Sequence, residues 1–171
     1  MNERIVLVNE TDRSIGEMDK LEVHQKGLLH RAFSIFLFDD QGKLLLQKRA
    51  AGKYHSANLW SNTCCSHPRP EEDTLQAAVR RLKEEMGIET ALEKKFDLIY
   101  RVQLDNNLME YEYDHIYTGR SNQTPLLNRE EVSDYRWVTI QELRAEIKSD
   151  PVNFTEWLKI LLLKDAFNNI I

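Results

Sequence analysis

The chain has only two cysteines, Cys64 and Cys65, and they are adjacent. Adjacent cysteines do not readily form an ordinary disulfide, and no third cysteine offers a partner. Reduced thiols and a cytoplasmic location are therefore expected. No apolar run approaches the ~20 residues of a membrane-spanning helix; the longest helical apolar patch, Trp157 to Leu163, is too short. No block of like charge stands out and the net charge is −5, so no nucleic-acid footprint is indicated. Met1 to Arg4 does not open like a secretory signal. Internal repeats and low-complexity tracts are absent. These absences argue against a secreted disulfide scaffold, a membrane protein and a nucleic-acid binder.

The rest of the composition, 42% apolar and 30% charged, is that of a globular rather than a disordered chain. A length of 171 residues fits one domain spanning residues 1–171. A chain of that size buries roughly 68–70% of its unfolded surface, so its stability needs neither a disulfide nor a structural metal.

Chemistry-bearing residues concentrate between Trp60 and Pro68, which hold both cysteines and one of the five histidines, His67. Around this stretch the pattern predicts strands at Arg4–Asn9, Ala32–Phe38 and Lys43–Lys48, the last two as a hairpin about Asp39–Gly42. Leu75, Ala78, Val79 and Leu82 recur at helical spacing between Thr74 and Met86, with Gly87 where a C-terminal cap belongs. Further strands are expected at Phe96–Leu104, Met109–Gly119 and Tyr135–Val138. Thr139 and Glu142 predict a capping box for a helix reaching Ile147. A last helix is expected over Phe154–Phe167. Strands and helices mix without regular alternation, which predicts an α+β fold, a mixed α/β/α sandwich.

Glu110 and Glu112 sit two apart in a strand, so both carboxylates point to one face and Tyr111 and Tyr113 to the other. Histidines with carboxylates make a mixed nitrogen/oxygen donor set suited to Mn²⁺, Zn²⁺ or Mg²⁺. Spacing alone leaves open whether His24, His30 and His67 meet. Arg81 and Glu85 share a helix face at i, i+4.

The helix carries a longer pattern. Glu72, Arg80, Leu82, Glu84, Glu85, Gly87 and Ile88 fit the Nudix box, with Ser66 in its first Gly position and Arg81 in place of its first Glu after Arg. A cation there argues against ordinary hydrolysis of a nucleoside or other diphosphate, the alternative reading. With Leu29–Ser34, Trp60–Pro68 and Glu110-Tyr111-Glu112 added, the chain from about Val6 to Trp157 resembles type I isopentenyl-diphosphate delta-isomerase.

That resemblance implies a Nudix fold with an N-terminal strand extension. It implies interconversion of isopentenyl and dimethylallyl diphosphate through a tertiary carbocation, in isoprenoid biosynthesis. By similarity, Cys65 and Glu112 move protons on opposite faces of the substrate, Tyr100 stands beside the acid pair, and Trp60 is the indole that stabilises the cation. His24, His30, His67, Glu110 and Glu112 match a divalent-metal site, and Glu85 matches the carboxylate of a diphosphate-bound Mg²⁺. Lys20, Arg49, Lys53 and Arg81 match the cations around the diphosphate, although Lys20 and Lys53 also fit a solvated surface. Trp157 matches an aromatic residue closing the pocket and equally fits a core position. The implied partner is an allylic or homoallylic diphosphate, with no nucleic acid or membrane and the protein a monomer or homodimer. Cys64 reads as a small buried residue, His115 as structural or surface, and His55 has no assignment. Ser66 in a Gly position fits only if its φ is negative.

Overall fold

The computed structural model describes residues 3–170. Its central strand, β3 (His30–Phe38), is apolar and buried on both sides. Alternation explains this. Phe33, Ile35 and Leu37 pack on one face with Ala77, Ala78, Leu82 and Met86 of α2 (Thr74–Met86). Phe36 and Phe38 pack on the other face with Leu143 of α3 (Ile140–Ser149) and with Leu158, Leu161 and Leu162 of α4 (Glu156–Leu162). Helices thus cover both faces of a mixed sheet, as the α+β sandwich reading expects. Each large side chain so buried contributes roughly 1.5–3 kcal/mol.

The caps of α2 and α3 follow the expected chemistry. The Asp73 side chain accepts from the Gln76 amide, and Gly87 closes α2 in the left-handed region at φ 66°. An alanine Cβ at Gly87 would also stand 2.6 Å from Leu126 Cβ. Thr139 and Glu142 form the capping box of α3.

The sheet departs from expectation at the proposed hairpin. β3 and β4 (Leu44–Arg49) pair only at Phe38–Leu44 and then diverge, each taking other partners. β4 pairs with β9 (Val132–Val138). β3 pairs along its length, in parallel, with β8 (Met109–Arg120). The short strands β5 (Trp60–Ser61) and β6 (Cys64–Ser66) fill the fork, β5 on β4 and β6 on β3. Thr63 stitches its base: Thr63 Oγ1 accepts from the Leu37 amide at 2.9 Å and donates to Leu45 O at 2.7 Å. Ser66 extends β6 and is not among the positive-φ residues, so the side chain is tolerated there.

β1 (Arg4–Val8) and β2 (Ser14–Asp19) form the N-terminal extension, joined to β3 at Leu7–His30. They lead into α1 (Lys20–Lys26), a helix not anticipated that carries His24; Asp19 caps its start and Gly27 its end. β7 (Leu92–Gln103) begins four residues before the expected strand, across a bulge between Lys94 and Phe96.

The expected C-terminal helix is shorter than predicted. The chain turns at Lys164, which is extended, and Phe167 folds back edge-on to Phe36 at 4.9 Å. Burying that ring outweighs continuing the helix. No helix among the described residues is long and apolar enough to cross a membrane.

Candidate active site and metal centre

The site lies at the mouth of the fork between β3 and β4. β8 presents Glu110, Glu112 and Asp114 on one face, all buried, while Tyr111 and Tyr113 face the other way and are half-buried. Glu112 is flanked by His30 of β3 on one side and Tyr100 of β7 on the other. Across β3, Cys65 of β6 pairs with Ser34. Cys65 and Glu112 therefore come from the two strands on either edge of β3, and both line the same cavity. Adjacent strand residues point to opposite faces, so Cys64 turns away into the core under α2, fully buried.

The histidines are prepared as ligands. His24 Nδ1 bonds Lys20 O at 2.6 Å, and His30 Nδ1 bonds Leu28 O at 2.8 Å. A carbonyl only accepts, so each Nδ1 carries a proton, and Nε2 is the ring atom turned inward as the one that can ligate. His24 Nε2 stands 3.0 Å from Glu110 Oε2, and His30 Nε2 stands 3.8 Å from the same oxygen. Two acceptors at 3.0 Å need a proton or a cation between them. His24 Nε2, His30 Nε2 and Glu110 Oε2 are buried and have no hydrogen-bond partner among the described residues. With His67, these residues offer ligand atoms all within 4.8 Å of one another, so the donor set fits a divalent metal.

Glu112 joins the cluster from β8. Its Oε1 lies 3.2 Å from His67 Nε2 and 3.6 Å from His30 Nε2, and its Oε2 accepts from Tyr100 Oη at 2.5 Å. Burial pushes a carboxyl up, but the neighbouring His30 and His67 outweigh it and hold Glu112 well below the usual range. Burial, then the charge of Glu112, pushes Glu110 up. Burial raises the Cys65 thiol to about 12 against the opposing pull of Arg49. Burial likewise keeps Tyr100 a phenol and His67 neutral, pushed down to about 3.

Lys20, Arg49, Lys53 and Arg81 all line the cavity. Glu131, which sequence reasoning missed, holds both Lys53 and Arg81. Glu85 is buried, its Oε1 bonded by Arg81 at 2.6 Å and its Oε2 by Gln47 at 3.0 Å. Outside the cavity, Arg80 clamps Glu72 with two bonds, 2.7 and 2.8 Å, and fastens the loop before α2 to the helix.

The two tryptophans require a correction. Trp60 does not line the cavity; its ring lies in a separate groove with Arg136 at 4.7 Å and Lys48 at 5.8 Å. The alternation of β5 is the reason. Ser61 turns to Trp157, its Oγ accepting from Trp157 Nε1 at 2.9 Å, while Trp60 packs on the apolar cluster between α3 and α4. Trp157 is the indole in the cavity, and Arg49 stacks 5.1 Å from its ring centre.

Two further residues escaped sequence reasoning. His55 lies in the cavity, its Nε2 3.5 Å from Glu110 Oε1; burial and Arg49 push it down to about 2, so it is neutral. It stands in a loop without periodicity, and no pattern marked it. Asp114 accepts from Ser34 Oγ at 2.8 Å, and the two-residue period that pairs Glu110 with Glu112 would have found it. His115 belongs to the opposite face, between Asp12 at 3.0 Å and Asp97 at 3.2 Å.

A NUDIX domain model matches residues 28–158. The chain is 54% identical over 170 residues to isopentenyl-diphosphate Delta-isomerase 2 of Photorhabdus laumondii, covering 99% of this chain and 96% of the relative. It is 51% identical to isopentenyl-diphosphate Delta-isomerase 1 of Aromatoleum aromaticum, covering 93% and 90%. The chain belongs to the Nudix family and, within it, to the isopentenyl-diphosphate Delta-isomerases. A crystal structure of a Deinococcus radiodurans protein, 20% identical, shares the fold with a TM-score of 0.77 over 92% of this chain and 96% of that one. Against the Nudix box, this Delta-isomerase family member puts the guanidinium of Arg81, bonded to Glu85, where the hydrolase pattern has a carboxylate.

Proposed function

We propose that the chain interconverts isopentenyl and dimethylallyl diphosphate, with Cys65 and Glu112 as the proton-transfer pair and the catalysis cytoplasmic. One observation carries the assignment of the pair: Cys65 and Glu112 face one cavity from strands on opposite edges of β3, with burial favouring the thiol form of Cys65 and the neighbouring histidines the carboxylate form of Glu112. For isopentenyl diphosphate, the Cys65 thiol gives its proton to the terminal alkene carbon, leaving a tertiary cation. Glu112, hydrogen-bonded to Tyr100, takes a proton from the carbon on the diphosphate side, and the new double bond forms there. The roles exchange in the reverse direction.

Lys20, Arg49, Lys53 and Arg81 hold the diphosphate end, where Arg is suited to bidentate contact. Glu85 would offer its carboxylate to a Mg²⁺ accompanying the diphosphate, which would supply positive charge at that end of the cavity. His24, His30, His67, Glu110 and Glu112 would hold a second divalent cation, Mn²⁺, Zn²⁺ or Mg²⁺, whose charge would favour the ionised form of both glutamates. The nitrogen-rich donor set favours Mn²⁺ or Zn²⁺ over Mg²⁺.

Trp157 presents an indole to the cation. A desolvated cation–π contact is worth ~2 kcal/mol, so Trp157→Ala should lower turnover roughly 30-fold. Trp60→Ala should lower the melting temperature and leave turnover within about twofold, because its contacts lie outside the cavity. Steady-state rates and thermal melts of the two variants check this, and the reverse split would return the cation wall to Trp60.

The reading itself is tested by incubating the protein with isopentenyl diphosphate and Mg²⁺. The dimethylallyl isomer should accumulate without release of phosphate. Phosphate release without isomer would replace this reading with a Nudix hydrolase.

A further inference from the structure

We propose that His55 is a positioning residue for the metal centre: it engages one oxygen of Glu110 so that the other faces His24 and His30. The proposal rests on the reading above that these residues hold a metal.

The two oxygens of Glu110 are divided between two sides. Oε2 faces His24 Nε2 at 3.0 Å and His30 Nε2 at 3.8 Å, while Oε1 faces His55 Nε2 at 3.5 Å. A buried carboxylate free to rotate about its last bond would present either oxygen, or both, to a cation. A neighbour that donates to Oε1 removes that freedom. Ser56 Oγ lies 3.3 Å from His55 Nδ1. A hydroxyl donating to Nδ1 puts the ring proton on Nε2, which is the tautomer that can donate to Oε1. His55 lies outside the group of ligand atoms that come within 4.8 Å of one another, so its place is behind Glu110 and not beside the metal.

The ring is held in that orientation. It stacks on His24 at 5.7 Å and 29°, and meets Tyr54 edge-on at 4.5 Å. Its loop is fastened as well. Arg49 donates to Ser56 O at 3.1 Å and to His55 O at 3.2 Å, and the Ser56 amide donates to Asp105 Oδ1 at 3.1 Å. These bonds hold Ser56 at φ 50°, a left-handed conformation uncommon for serine. Strain kept at a residue that sets a neighbour's tautomer is consistent with a built site. Outer residues that orient metal ligands commonly matter to affinity almost as much as the ligands.

The test titrates metal-free protein with Co²⁺, following its absorption bands. His55→Phe should raise the dissociation constant about 10–100-fold. His55→Gln, whose amide keeps a donor, should stay within about threefold of wild type. Saturated variants should keep the wild-type cobalt spectrum, since the ligand count is unchanged. Wild-type affinity in a folded His55→Phe protein overturns the proposal. So does a change of coordination number in His55→Gln, which would make His55 a ligand. If His55→Phe does not fold, Ser56→Gly decides: it tolerates φ 50° and removes the hydroxyl that sets the tautomer. Binding weakened several-fold there supports the proposal, and unchanged binding overturns it. Wild-type protein that binds no Co²⁺ fails the underlying metal reading instead.

Discussion

Cys65→Ala lowers isomerisation by about 10²–10⁴-fold or more while the protein stays folded, the range expected when a positioned proton donor is removed. The size of the effect follows from the substrate. An unactivated alkene offers no lone pair to a solvent proton, so a donor fixed above the terminal carbon is required. The alanine keeps the backbone of β6 and its pairing with β3, so the melting temperature should hardly move. Cys64→Ala gives the opposite split. Cys64 is fully buried against Ala77, Ala78 and Leu82, and losing one methylene-sized group there costs about 1 kcal/mol of stability with turnover retained. Glu112→Gln falls with Cys65→Ala, since an amide cannot accept the proton that leaves. Dimethylallyl diphosphate formation, measured beside thermal melts of the three variants, decides the assignment. Normal turnover by Cys65→Ala with a dead Cys64→Ala would reverse it.

What could be read from the chain was whatever depends on neighbours in sequence. The α2 boundaries, the Gly87 cap, the Thr139 capping box and the shared face of Glu110 and Glu112 all follow from local periodicity and local hydrogen bonds. What could not be read depends on which distant segment a side chain meets. β3 and β4 look like a hairpin because their turn is sound, yet β3 pairs with β8, some eighty residues away, and the fork this opens is the site. Trp60 sits in the motif, but the two-residue period of β5 turns it out and leaves Trp157, from the far end of the chain, to line the cavity. Family resemblance named both indoles; only the topology distinguishes them. His55 had no local signal at all, and its role follows from Glu110, which reaches it from β8.

Removing the divalent metals should abolish isomerisation, at least about 10²-fold, and lower the melting temperature as well. Three imidazoles and two carboxylates converge at buried positions, and burial without compensation is costly for each charged oxygen. Without a cation the cluster needs a proton in its place, and burial with the charge of Glu112 pushes Glu110 toward holding one. The proton in that position displaces the charge that Glu112 needs around it, so the acceptor of the pair is altered even though every residue remains. The stability effect follows from linkage: a ligand at 100 times its dissociation constant adds ~2.7 kcal/mol to the folded state. Acid should act in the same direction as chelation, because ligation requires the histidines neutral and the glutamates ionised. The His24 imidazole, drawn upward by Glu110 against the effect of burial, competes for a proton as pH falls. The measurement is turnover and thermal melting before and after chelation, with metal content checked by elemental analysis, then again after Mg²⁺, Mn²⁺ and Zn²⁺ are returned singly. Activity that returns with Mn²⁺ or Zn²⁺ but not with Mg²⁺ alone would assign the nitrogen-rich site to the softer cation. Full activity in protein verified to be metal-free would remove the metal from the reaction and leave the cluster as a network held together by its own protons.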